Sequence, residues 1–171
     1  MRKDELFEIL TDWNFWAKEI DTGILRAKYR DKLIELITET NQIICISGIR
    51  RTGKSTLVRQ IAKELITAKD AATLIVNFED ERFLTRNLKL LIDIRDEYHE
   101  KVKPESKPFI FLDEIQAVPD WEKFARGMHE RGDAKIIVSG SSSKLLSAEL
   151  ATLLTGRHIT FLCIRYRLMN S

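Results

Sequence analysis

The segment Ser47 to Gln60, SGIRRTGKSTLVRQ, limits most tightly what this 171-residue chain can fold into. It holds a glycine, four residues and then Gly-Lys-Ser: Gly48-Ile49-Arg50-Arg51-Thr52-Gly53-Lys54-Ser55. The apolar run Ile43 to Ile46 stands before it, rich in β-branched residues, and reads as a buried strand. Behind it Leu57, Val58, Ile61, Ala62, Leu65 and Ile66 recur at helical spacing, which predicts a helix from Lys54 to Ile66. Strand, glycine loop and helix together aim backbone N–H groups at an anion and add the favourable end of the helix dipole. Average composition produces this spacing by chance in roughly one chain in a hundred of this size. The flanking strand and helix then make a plain surface turn the weaker alternative.

Each position has a physical task in a phosphate loop. Gly48 and Gly53 let the backbone turn tightly. Ile49, Arg50, Arg51 and Thr52 form the span between them, where backbone amides carry the contacts and the two arginines add attraction. Lys54 is expected to reach the β- and γ-phosphates of ATP, and the Ser55 hydroxyl to ligate Mg2+. Thr56 completes the nucleotide-binding set at the first helical turn.

A second element follows at Phe109-Ile110-Phe111-Leu112-Asp113-Glu114, an apolar run ending in two acids. A strand beside the first one, ending in an acid, is where a P-loop fold holds magnesium, and Asp113 is the candidate. Glu114 at the strand tip is the candidate base that polarises an attacking water. Alternatively, both acids cap the next segment. No Asn-Lys-x-Asp guanine-reading segment occurs, and a small-molecule kinase usually needs no water-activating glutamate, so ATP hydrolysis is expected. A third run, Ile136 to Ser143, ends in hydroxyls beside the Asp113 strand. Either Ser141 or Ser142 there senses the γ-phosphate, or the serines form a turn capping the following helix. Arg157 reaches a γ-phosphate in its own or a neighbouring subunit, or it is an ion-pairing arginine at a helix end.

The remaining pattern is alternation. Tyr29–Thr38, Asn87–Glu100 and Ser143–Leu154 predict helices, and so does the segment after Asp120, the expected N-cap. Thr73–Phe78, Lys135–Val138 and Ile159–Cys163 predict strands. The expected fold is α/β, with five strands in a mostly parallel sheet covered on both sides. The organisation reads as a helical lead-in over residues 1–40, a P-loop core over 41–163 and an atypical tail over 164–171. Phe78 to Arg82 reads as a solvated loop, or as one whose acids approach the phosphates. The net charge of +2 gives no case for bulk attraction to polyanions. Cys45 and Cys163 lie in apolar runs and read as small buried hydrophobes, and the three histidines have no metal-ligand spacing. With no apolar run near the roughly 18 residues that span a bilayer, a cytoplasmic setting is expected.

The motifs TGILRAKY, GIRRTGKSTL, NFEDERF, FLDEIQAVPDWEKFARGMHERG, SGSSSKLLS and ELATLLTGRHI resemble those of the AAA-type P-loop ATPases widespread in archaea and bacteria, the archaeal-type ATPase family. The resemblance spans roughly residues 12–161 and includes the Walker A and Walker B elements around Gly48 and Asp113. It implies a three-layer fold of sheet order 5-1-4-3-2, Mg-ATP binding, and a segment before the first strand lying over the adenine, with Ile24 as a base contact. It suggests roles in DNA transactions or defence, although no residue here reads a base, and leaves oligomerisation open. In that family a helical lid and a C-terminal domain follow. The segment Phe161 to Ser171 departs from the pattern, so the expectation is truncation before the lid, with weakened turnover or a nucleotide-dependent interaction module as the result. Sequencing beyond the stop codon checks this: a lid-like reading frame is expected there, and its absence would count against truncation.

Overall fold

Runs of four or more apolar residues become strands whose two faces are both buried. The computed structural model describes residues 1–49, 51–145 and 148–164. In chain order the elements are α1 (Lys3–Trp13), α2 (Ala27–Glu39), β1 (Ile43–Gly48), α3 (Lys54–Lys69), β2 (Thr73–Asn77) and α4 (Leu88–Val102). They continue with β3 (Phe109–Asp113), a 3-10 turn (Ile115–Ala117), α5 (Trp121–Arg131), β4 (Lys135–Ser141), α6 (Ser142–Leu145), α7 (Ala148–Leu153) and β5 (His158–Leu162). The strands form one sheet of order β2-β3-β4-β1-β5, and all four neighbouring pairs run parallel. β4 therefore stands between β1 and β3. The strand carrying Asp113 is not beside the first strand but one removed from it, because the crossover through α5 inserts β4 into the gap.

Side chains alternate across the sheet with period two. Ile43, Cys45, Leu74, Val76, Ile110, Leu112, Ile136 and Val138 pack with α1, α4 and α5 on one face. Ile44, Ile46, Ile75, Phe111 and Ile137 pack with α2 and α3 on the other. The helical lead-in is thus divided between the layers, α1 on one face and α2 on the opposite one. Among the described residues, no helix is long and apolar enough to cross a membrane.

One local expectation changes. Asp120 occupies the N-cap position of α5 but makes no side-chain cap bond. Its backbone is left-handed, with φ 61°, and its carboxylate pairs instead with Lys123 at 3.2 Å. Of the helix expected over Ser143–Leu154, the described residues fall in α6 and α7, and residues 146–147 lie outside the described set.

The outer edge of β2 is closed by side chains. The Asn14 amide donates to the carbonyl of Ile75 at 2.9 Å, and its oxygen accepts the Ile75 N–H at 2.7 Å. The same amide donates to Leu10 at the end of α1, and Trp16 Nε1 donates to the carbonyl of Thr73 at 3.1 Å. Asn14 is fully buried, so truncating it leaves a buried N–H and C=O without partners. Asn14→Ala is expected to cost about 2–4 kcal/mol in urea unfolding. A loss under ~1 kcal/mol would show that water replaces the amide freely.

Candidate nucleotide site

The phosphate loop begins at the carboxyl end of β1. A Cβ at Gly48 would lie 2.6 Å from the carbonyl oxygen of Cys163 and 2.9 Å from Thr52 Oγ1, so no side chain fits there. Gly53 turns the chain into α3 with φ 82°, a conformation that glycine adopts without steric cost. Arg51 also lies in the left-handed region, with φ 64°, at a cost on the order of 1 kcal/mol. Thr52 Oγ1 donates to the carbonyl of Ile49 at 2.9 Å and braces the turn. Arg50 lies outside the described residues.

Lys54, the first residue of α3, is buried. Its Nζ donates to the carbonyls of Gly48 and Ile49, both at 3.0 Å. The ammonium is therefore held over the loop by the loop's own backbone. A cavity of about 530 Å3 opens here, lined by Arg51, Gly53, Lys54, Ser55, Thr56, Glu79 and Glu114. Elements far apart in sequence thus meet: the loop and α3, the turn after β2, and the tip of β3.

Asp113 ends β3 and is buried, and its Oδ1 accepts a hydrogen bond from Ser139 Oγ at 2.5 Å. Ser139 follows Val138, which pairs with Leu112 across the β3–β4 ladder. Of the hydroxyls expected to matter on β4, Ser141 is half-buried and pairs with Gly48 in register. The side chain of Ser142 is outside the described residues. Ser139 was not singled out from sequence, although the register of two neighbouring strands is the signal that identifies it.

Glu114 has a left-handed backbone, φ 54°, and Gln116 Nε2 donates to its Oε2 at 2.5 Å. Burial pushes its carboxyl above the ordinary glutamate value. The Gln116 bond opposes this, the nearby Asp113 and Glu79 carboxylates add to it, and Lys54 pulls the other way. Gln116 is a second residue missed from sequence.

The turn after β2 is braced by side chains, while Glu79, Glu81 and Arg82 themselves stay exposed. Asp80 is buried and accepts from Trp13 Nε1 at 2.8 Å and from Arg82 Nη2 at 2.7 Å. The Arg82 bonds hold its carboxyl well below the ordinary carboxylate range. Arg86 Nε donates to the carbonyl of Phe78 at 2.6 Å, and Nη2 to that of Asp80 at 3.0 Å. This bracing carries Glu79 to the cavity wall.

Arg157 is not brought to the cavity. It precedes β5, and its carbonyl accepts from the N–H of Ile43. It therefore sits at the start of the parallel strands, with the length of β1 between it and the loop, and its guanidinium pairs with Glu130 at 3.1 Å. Reach to a γ-phosphate in its own chain is ruled out by that placement. Ile24 is 87% exposed, and its carbonyl accepts from Gln60 Nε2.

The raised Glu114 carboxyl has a stability consequence. The folded chain holds this proton more tightly than the unfolded one, so the contribution is favourable below the unfolded value and is lost as pH rises through the folded one. Glu114→Gln is expected to raise the melting temperature at pH 7–8, and the difference should vanish near pH 4. A variant less stable than the parent at neutral pH would contradict this.

A family model described as AAA domain matches residues 40–167. The uncharacterized protein MJ1544 of Methanocaldococcus jannaschii is 39% identical over 138 residues, which is 78% of this chain and 29% of that protein. An uncharacterized protein of Haemophilus influenzae is 35% identical over 137 residues, covering 80% of this chain and 34% of the relative. The chain therefore spans about a third of the length of these relatives. Among solved structures, the closed state of Hsp104 with ATPγS and FITC casein superposes with a TM-score of 0.58 at 15% identity, covering 85% of this chain and 28% of that one. That likeness is one of fold. The family match covers most of the chain, and its loop, sheet order and acidic strand tip agree with it: this chain belongs to the AAA domain family and is a nucleotide-binding, ATPase-like domain.

Proposed function

We propose that the domain binds ATP with Mg2+ and hydrolyses it to ADP and phosphate. The observation that carries this reading is the meeting of Lys54, Ser55, Glu79 and Glu114 on one cavity, with Asp113 buried beside Glu114. The Hsp104 reconstruction with ATPγS is consistent with a triphosphate ligand for this fold.

Residues here fit both parts of the ligand. Gly53, Lys54, Ser55 and Thr56 line the cavity where α3 begins, which suits phosphate binding by helix N-terminal amides. Lys54 would exchange two carbonyl contacts for phosphate oxygens, a gain because charge-assisted bonds to an anion are stronger. Ser55 and Asp113 offer oxygen donors of the kind Mg2+ takes alongside phosphates. Among the described residues, no group of three His, Cys, Asp or Glu forms a self-sufficient metal cage, so the ion would arrive with the nucleotide and neutralise phosphate charge. Glu114 would accept a proton from the attacking water as its oxygen bonds to the γ-phosphorus. The bond from that phosphorus to the bridging oxygen then breaks, and ADP leaves. Ser139 would hold Asp113 in position, and Ser141, opposite Gly48, would face the γ-phosphate end of the loop. Two buried free cysteines suit a reducing cytoplasm.

Calorimetric titration with Mg-ATP and an assay of phosphate release test the reading together. Lys54→Ala is expected to weaken binding at least ~30-fold. Glu114→Gln is expected to bind as the parent does and to turn over about 10²–10⁴-fold more slowly. Undiminished binding by Lys54→Ala would overturn the site. Binding without Glu114-dependent hydrolysis would leave a nucleotide-dependent interaction module in place of the enzyme.

A further inference from the structure

Arg26 stands just before α2, within the segment TGILRAKY and outside the phosphate loop, and it joins that loop to the chain leaving β5. Its Nη1 donates to the carbonyl of Thr52 at 2.5 Å and to Cys163 Sγ at 3.3 Å. Its Nη2 donates to the carbonyl of Ile164 at 3.0 Å. The guanidinium lies over the Tyr29 ring, 4.4 Å from the centroid, and Tyr29 meets Phe161 of β5 edge-on at 5.5 Å. Gln60, on α3, fixes the approach. Its Oε1 accepts the Arg26 N–H at 3.1 Å, and its Nε2 donates to the carbonyls of Thr22 and Ile24.

The bond to Thr52 has a stereochemical result. A trans peptide places its C=O and N–H on opposite sides, and the chain has no cis peptide among the described residues. Holding the Thr52 carbonyl towards Arg26 therefore turns the Gly53 N–H the other way, and Gly53 lines the phosphate cavity. The second bond ties the chain leaving β5 to the same group. Cys163 continues the β1–β5 ladder through its N–H to the carbonyl of Ser47 at 2.6 Å, and its own carbonyl closes the space above Gly48.

We propose that Arg26 is a positioning residue that orients the Thr52–Gly53 peptide for phosphate and locks the exit of β5 to the phosphate loop, so that nucleotide occupancy and the placement of Cys163–Ile164 are coupled. The planar, forked guanidinium is needed for this, because a lysine ammonium on a flexible stem does not hold Thr52 and Ile164 at once while stacking on Tyr29. The coupling to nucleotide rests on the function proposed above. The lock itself does not.

Cys163 is a built-in reporter. It is buried beside Arg26, whereas Cys45 is buried in β1, its thiol pushed up to about 12 by burial, and serves as the internal control for an intact sheet. Iodoacetamide labelling of each cysteine, read by mass spectrometry without nucleotide, is expected to be at least ~10-fold faster at Cys163 in Arg26→Ala than in the parent, with Cys45 unreactive in both. Arg26→Lys should behave like the alanine variant. Saturating Mg-ATP should slow Cys163 labelling at least ~3-fold in the parent and not in Arg26→Lys. Calorimetry should show Mg-ATP binding weakened ~10-fold in Arg26→Ala. If Cys45 becomes reactive in that variant, Arg26→Gln, which keeps one amide donor, replaces it. Unchanged Cys163 labelling without nucleotide would overturn the lock. Unchanged affinity beside a freed Cys163 would overturn the orienting role. A parent chain that binds no Mg-ATP would overturn the proposed function instead, leaving labelling without nucleotide to decide the lock.

Discussion

A parallel sheet buried on both faces dictates where chemistry can happen in this chain. The interiors of β1 to β4 are apolar on both sides, so polar groups gather at the strand ends. All four pairings are parallel, and the carboxyl ends therefore share one rim. Each of these strands contributes there: the phosphate loop after β1, Glu79 after β2, Asp113 and Glu114 at β3, and Ser139 and Ser141 on β4. The site follows from strand direction, and the helices fill the faces and fix the spacing.

The rim balances opposite charges within one cavity. Glu79 and Glu114 share the cavity with Lys54, and Asp113, Glu79 and Lys54 all influence the Glu114 carboxyl. Such a mixture suits a ligand that is itself mixed, an anionic phosphate chain with a divalent cation. Gln116 and Ser139 each spend a hydrogen bond on one of the acids. These bonds fix the carboxylates while the charges around them change, which is what pre-organisation requires.

Local features of the site were legible and non-local ones were not. The strand before the loop, the loop and α3 are contiguous, so their pattern is complete within residues 43–66. The acids at 113 and 114 were legible for the same reason, since an apolar run ends in them. Strand order came only from family resemblance, and the insertion of β4 between β1 and β3 contradicts the simpler picture of adjacent strands. Choosing Ser139 over its neighbours depends on register between β3 and β4, which no single segment contains. Arg26 lies in the motif TGILRAKY, but 26 residues from Thr52 and 137 from Cys163, so the motif alone does not reveal what its guanidinium holds. For Arg157 the ion-pairing alternative matches the contact with Glu130, and parallel pairing puts it at the end of the sheet opposite the loop.

The side-chain closure of β2 has a consequence for how the chain comes together. Asn14 and Ile75 are separated by 61 residues, so the contact is costly to form early in a freely folding chain. Synthesis runs from the N-terminus, however, and α1 with Asn14 is already made when β2 emerges. The cap thus exists before the edge it closes. β2 spends little time as an open template for another chain, and the order of the sequence itself guards the nascent sheet against pairing with the wrong strand.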